Sequence, residues 1–311
     1  MVLITVAFLG PAASFSHQAS VESFGASVKL LALPSFTDAF AAVQQEEADY
    51  AVVPFENSSN GSVVQTLNLL ADPSNLYTDV KVCGEHYLNV HHCLLSQRGL
   101  RSLGESKYNS IDKLYTHPQA WGQCEKFLGR HFKGVERQDV SSTSKAAETV
   151  ANETAGRSAA IASRFAAVYH GLDILEENIE DNSNNTTRFL ILRNVRSERT
   201  AQLHLEKIIP APASSPTAKK ALISFMLHQD SPGALADALL VFKNYGMNLT
   251  SINTRPSQRK VWQYVFLVEC QLASANDDRE GVNEILAALN DTTENSRHLG
   301  TWVSMSSSSN K

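Results

Sequence analysis

Three times before residue 145 a short β-rich run empties into a polar loop that opens a helix, and no other feature constrains the fold as much. Val2 to Leu9 leads into Gly-Pro-Ala-Ala-Ser-Phe-Ser, Tyr50 to Pro54 into Glu-Asn-Ser-Ser-Asn-Gly-Ser, and Val135 to Val140 into Ser-Ser-Thr-Ser. Strand-like runs that alternate with helical patterns predict α/β architecture with mainly parallel strands. The pattern breaks between Arg196 and Lys220, where three prolines among small polar residues discourage regular structure. Residues 196–219 are therefore expected to link two domains, as a chain of 311 residues exceeds what one compact core usually holds.

Beyond that linker the periodicities change. They run strand (Ala221 to His228), helix (Gly233 to Tyr245), strand (Asn248 to Arg255), strand (Val261 to Cys270), helix (Arg279 to Asn290) and strand (His298 to Met305). This is βαββαβ, a ferredoxin-like unit over residues 220–305.

Charge excludes one class of partner. With 27 Lys and Arg against 32 Asp and Glu, the chain lacks the concentrated cations that displace counterions from nucleic acid. The apolar run from Val2 to Leu9 is too short to span a bilayer and has no basic residues before it, so it predicts a buried first strand and no membrane association. Cys83, Cys93, Cys124 and Cys270 are scattered without a CxxC pair or zinc spacing, which predicts a reducing, cytoplasmic location.

Strand-to-helix loops rich in Ser, Thr, Asn and Gly offer free backbone N–H groups at the positive end of a helix dipole, so they suit carboxylates or phosphates. The same residue types are also ordinary helix N-caps. His91 and His92, as strand neighbours, cannot both face one metal.

Five segments carry a resemblance. Phe8 to His17, Pro54 to Ser62, Thr116 to Cys124, Ser142 to Ser144 and Asn185 to Phe189 resemble, in order, the successive motifs of prephenate dehydratases. The resemblance implies a catalytic region over 1–195 folded like a type-2 periplasmic binding protein. Two α/β lobes, expected at about 1–78 plus 174–195 and at 79–173, would be joined by two crossing segments with the active site between them. The implied reaction is decarboxylative dehydration of prephenate to phenylpyruvate in L-phenylalanine biosynthesis, with arogenate dehydratase as the alternative within the family. That chemistry calls for no cofactor and no metal. Its hard step is departure of the ring hydroxyl, which needs a proton or a strong hydrogen bond.

Carried over by resemblance, Thr187 assists the leaving hydroxyl, while Asn57 and Gln123 orient the substrate. Glu56 is either a second acid or a carboxylate matched to a helix dipole. Ser14, Thr116, Ser142, Thr143 and Ser144 would donate to substrate carboxylates. Arg188 either forks onto a substrate carboxylate or bridges the lobes. Phe189, with Phe8, Phe55 and Trp121, lines the pocket or fills the core.

The C-terminal unit resembles an ACT domain, a module that binds amino acids at interfaces between paired copies. By that resemblance Asp230, Gly233, Ala234 and Leu235, together with Asn253, Thr254, Arg255 and Pro256, would bind phenylalanine as an inhibitor in a homodimer or homotetramer. Asn253-Thr254 departs from the Glu-Ser usual in the family.

Overall fold

The computed structural model describes residues 3–25, 27–99, 107–154, 156–203, 205–209, 218–228, 231–272 and 278–305. In chain order the elements are β1 (Thr5–Leu9), α1 (Phe15–Phe24), β2 (Lys29–Leu33), α2 (Phe36–Gln44), β3 (Tyr50–Asn57), β4 (Gly61–Ser62), α3 (Val64–Ala71), β5 (Val80–Asn89), β6 (Cys93–Ser96), β7 (Lys113–Thr116), α4 (Pro118–Gln123), α5 (Glu125–His131), β8 (Glu136–Asp139), α6 (Thr143–Asn152), β9 (Ser158–Ala162), α7 (Arg164–His170), β10 (Asp173–Glu176) and β11 (Thr186–Asn194). There follow α8 (Glu198–Ala201), α9 (Leu205–Ile208), β12 (Lys219–Met226), α10 (Ala234–Asn244), β13 (Asn248–Pro256), β14 (Tyr264–Gln271), α11 (Asp278–Thr292) and β15 (Glu294–Val303).

Two sheets organise the chain. The first runs β13-β14-β12-β15-β5-β11-β3-β1-β2, with β4 paired to β3; the second runs β10-β6-β9-β7-β8. In the first, β1 is parallel to β2 and β3, and β11 is antiparallel to both β3 and β5. In the second, β7 is parallel to β8 and β9. Central strands are apolar on both faces: Val6, Ala7 and Phe8 on β1, and Ser158 to Ala162 throughout β9, are buried, as helices covering a sheet require.

The polar residues ahead of the helices act first as caps. Ser14, Ser35, Ser142 and Ser163 each accept a backbone N–H from the first turn of α1, α2, α6 and α7, satisfying one of the orphan donors every helix begins with.

Three expectations move. β5 belongs to the first sheet, so the polar stretch after Ala71 is only the α3–β5 loop, and the crossings lie at 90–92 and 177–185 instead of near 79 and 174. The strand expected to end at Pro54 continues to Asn57, because its last two residues find partners in β4 and β11. The expected linker contains α8 and α9, and β12 already begins at Lys219; its proline-rich residues 210–217 lie outside the described residues.

The C-terminal unit has the order β13-β14-β12-β15, the ferredoxin-like arrangement, with α10 and α11 packed through Ala238, Phe242, Ile285 and Leu289. It is not loosely tethered. β15 meets β5 in parallel at Gly300 and Val82, and Leu222, Leu267, Leu299 and Trp302 share one apolar core with Val80, Val82, Leu190 and Leu192.

Candidate active site

The C-terminal ends of β1, β3, β7, β8 and β9 all feed loops, and in open α/β sheets ligands collect at such ends. Contacts between the lobes gather there. Ala13 packs into the second-lobe cluster of Ala146, Ala147 and Ala162. Ser144 Oγ donates to the Ala12 carbonyl across the lobes, and the Phe15 ring lies edge-on to His92 with centroids 6.0 Å apart. The N-termini of α1 and α6, one from each lobe, are thereby brought together.

Asn57 is the best-defined group of the site. Its Oδ1 accepts the backbone N–H of Ser59 and Asn60 at 3.0 and 2.9 Å, which fixes the amide orientation, since the Nδ2 side could not accept from those donors. Nδ2 therefore faces Asn185 Oδ1 at 2.7 Å and Thr187 Oγ1 at 2.9 Å. The pairing of β3 with β11 sets Asn57 directly opposite Thr187. Because Thr187 Oγ1 is an acceptor in that bond, its own proton is left to point elsewhere.

Gln123 ends α4, and its Oε1 lies 2.7 Å from His92 Nε2. An amide oxygen only accepts, so Nε2 carries the hydrogen and Nδ1 is bare. His92 is 2% exposed, its Nδ1 has no partner among the described residues, and burial lowers its pKa despite the Gln123 bond. Glu180 fixes the same segment, accepting the His92 backbone N–H at 2.9 Å and meeting His91 Nδ1 at 2.7 Å. The crossings join the two halves of the site: Val90 N–H donates to the Asn185 carbonyl, and Asp181 N–H to that of Gln123. The sequence places the two histidines in a strand, but they lie in the crossing between β5 and β6, where His91 Nδ1 meets Glu180 and His92 Nε2 meets Gln123.

Several expected ligand groups are committed elsewhere. Thr116 is fully buried and donates to the Ile161 carbonyl at 2.7 Å, stitching β7 to β9. Phe189 belongs to the core with Val6, Tyr50 and Val52. Phe8 stacks on His17 at 4.7 Å, and Trp121 donates to Asp139. Ser14 and Ser142 hold their caps, Thr143 opens α6, and Ser144 is the interlobe donor just described. Glu56 Oε1 lies 3.4 Å from Arg188 Nη1.

Arg188 carries the largest correction. It is 3% exposed, and its Nε and Nη2 reach Glu85 Oε2 at 2.8 and 2.7 Å while Nη2 also pairs with Glu269 of the C-terminal unit. A strand turns successive side chains to opposite faces, so Thr187 and Arg188 cannot serve one ligand together.

Of the regulatory candidates, Gly233 adopts φ 87° ahead of α10, Ala234 is buried and Leu235 exposed. Thr254 and Pro256 are exposed on β13, and Asp230 lies outside the described residues. Asn253 accepts from Ser62 at 2.7 Å, and Arg255 donates to Asn68 at 2.6 Å, so this strand touches the catalytic lobe.

A cavity of about 780 Å³ lies elsewhere, at the seam lined by Lys81, Arg193, His298 and Trp302; none of Asn57, Gln123 and Thr187 borders it. Among the described residues no group of three His, Cys, Asp or Glu side chains is placed to hold a metal ion, and no helix is long and apolar enough to cross a membrane.

Comparison with known proteins adds the following. The family model described as prephenate dehydratase matches residues 6–197. A bifunctional chorismate mutase/prephenate dehydratase of Neisseria gonorrhoeae is 36% identical over 268 residues, covering 86% of this chain and 66% of that protein; the chain thus spans about two thirds of the length of that relative. A prephenate dehydratase from Arthrobacter aurescens, solved in complex with L-Phe, superposes with TM-score 0.79 at 27% identity over 97% of this chain and 90% of that one. GqqA, described as a novel type of quorum quenching acylase, superposes with TM-score 0.76 at 26% identity over 96% and 98% of the two chains.

Proposed function

Because the chain belongs to the prephenate dehydratase family, we propose that it converts prephenate to phenylpyruvate, carbon dioxide and water, and that Thr187 assists the leaving hydroxyl. The observation that carries this is the Asn57–Thr187 bond: the amide donates to Oγ1, so the threonine hydroxyl has its hydrogen available for another oxygen.

Aromatisation of the ring drives the elimination. The ring C–O bond breaks as the bond to the ring carboxylate breaks, the carboxylate's electron pair enters the ring, and the departing oxygen takes up one proton to leave as water. A threonine hydroxyl is a weak acid, so it acts by polarising the oxygen in a closed site, with the proton coming ultimately from solvent. The N-termini of α1 and α6 suit the two substrate carboxylates. Gln123, held by His92, suits the hydroxyl-bearing face of the ring. The acylase neighbour carries a different chemistry on the same fold, so the assignment rests on these residues and not on the fold. The relatives are named for prephenate, and the aminated substrate arogenate is not needed to account for the site.

The C-terminal unit acts, in this reading, as an ACT-like sensor that binds phenylalanine and lowers activity. Ile252, Val261 and Trp262 are exposed apolar residues on or beside edge strand β13, Trp262 at 82%, which supports pairing with a second copy into a homodimer or tetramer. Four free cysteines, three of them buried, are consistent with a cytoplasmic setting.

The test is the appearance of phenylpyruvate from prephenate by wild type, Thr187→Val and Thr187→Ser. Valine is expected to lower kcat by about 10²–10³, the usual loss of one transition-state donor, while serine retains most of it. Absence of turnover by the wild type removes the reading; equal rates in the valine variant remove Thr187 from it.

A further inference from the structure

The charged cluster behind the catalytic strand has no part in the chemistry just described. Arg188, Glu85, Lys220 and Glu269 are all buried, with Glu85 and Glu269 each 1% exposed. Two come from catalytic strands β11 and β5, two from sensor strands β12 and β14. Lys220 Nζ lies 3.4 Å from both Glu85 Oε2 and Glu269 Oε1 and 3.3 Å from the Tyr87 hydroxyl. Thr250 on β13 donates to Glu269 Oε1 at 2.7 Å, and Met305 N–H donates to Glu85 Oε1 at 2.8 Å. The Arg188 guanidinium also lies over the Phe55 ring, 5.3 Å from its centroid. Two buried cations thus face two buried carboxylates, with the partly exposed Glu56 a third at 3.4 Å from Arg188 Nη1, and in so dry a site removing Glu269 leaves buried positive charge uncompensated.

Arg188 is bonded along the chain to Thr187. The β3–β11 register shifts between Arg188 and Phe189, so the strand is irregular at the position that orients the threonine. Everything that holds Arg188 on the far side of the sheet is thus a determinant of where Thr187 Oγ1 points.

We propose that Glu269, though it lies in the C-terminal unit, is a positioning residue for the reaction: through Arg188 it sets the Thr187 hydroxyl, and it is the point at which the state of the sensor strands reaches the active site. β13 bears Thr250, which orients Glu269, and also Asn253, which holds Ser62 on the strand paired with Glu56. A ligand that shifts β13 and β14 acts on both contacts at once, which is the differential interaction that coupling between sites requires. The inference rests on the proposed dehydratase activity, which the wild-type enzyme tests separately.

The experiment compares full-length wild type, Glu269→Gln, Glu269→Asp and Thr250→Val for prephenate turnover, with and without phenylalanine. Glu269→Gln is expected to lower kcat about tenfold with KM nearly unchanged, since small misplacements of a reacting group act on the chemical step. It should also move the phenylalanine inhibition curve about fivefold or more. Glu269→Asp, which keeps the charge, recovers part of both. A folded Glu269→Gln with wild-type kcat and inhibition curve overturns the proposal, as does a loss confined to KM. Should that variant fail to fold, Thr250→Val on the exposed strand decides: a displaced inhibition curve supports the coupling, and an unchanged curve overturns it.

Discussion

Replacing Gly300 by alanine tests the seam where the two units meet. Gly300 has φ +144°, a conformation closed to ordinary side chains, and it faces Val82 in the single parallel bridge between β15 and β5. A Cβ built there falls 2.1 Å from the Val82 carbonyl oxygen, 2.7 Å from its nitrogen and 2.8 Å from its carbonyl carbon. All three are backbone atoms, so no rotamer change relieves the clash. An ordinary close C···O contact is about 3.3 Å, so β15 must withdraw by more than an ångström. That withdrawal opens the core in which Leu299 and Trp302 meet Val80 and Val82. Strain at the dihedral and overpacking each cost roughly 1–3 kcal/mol, and a combined loss of about 4 kcal/mol corresponds to a Tm lower by about 6 °C in a protein of this size. The control is Gly281→Ala in α11, where an added Cβ meets nothing within 4 Å and helix propensity predicts a gain of about 0.5–1 kcal/mol. Thermal unfolding followed by circular dichroism reads both. A Gly300→Ala protein melting within two degrees, or about 1 kcal/mol, of wild type refutes the seam as described.

Stability should also depend on pH. Burial lowers the pKa of His17 and His92 and brings that of His298 down to about 4, so between that value and the ordinary 6.5 the unfolded chain binds protons that the folded one refuses. Stability is then complete above pH 6.5 and falls as pH drops through it toward 4, to be read as Tm at pH 7.5 and pH 5; a Tm that rises on acidification contradicts the burial of these rings. His92→Phe keeps the ring packed against Phe15 and removes only the donor to Gln123, so kcat should fall about tenfold, one hydrogen bond's worth. An unchanged initial rate would detach Gln123 from the reaction.

The alternation of β-runs and caps was enough to read α/β architecture and the βαββαβ unit, because apolar period and turn chemistry are local. What the sequence hid was which sheet each strand joins. β5 follows a polar loop that looks like a domain break, and only its pairing with β11 assigns it to the first lobe. The site shows the same division. Asn57 and Thr187 are legible as candidates, whereas Arg188 stays open in the sequence between a fork onto substrate and a bridge between lobes, a choice that strand alternation narrows by sending it to the face opposite Thr187. Thr116 and Phe189 sit inside matching motifs yet spend their side chains on packing and stitching. His92 offered a signal: two adjacent histidines ahead of a buried strand must part company, and one of them had to find a partner indoors.

The crossing segments at 90–92 and 177–185 have a consequence for turnover. His92 and Asn185, which steady Gln123 and Asn57, both sit on these crossings, so any change in the angle between the lobes is transmitted first to the two amides proposed to act on the ring.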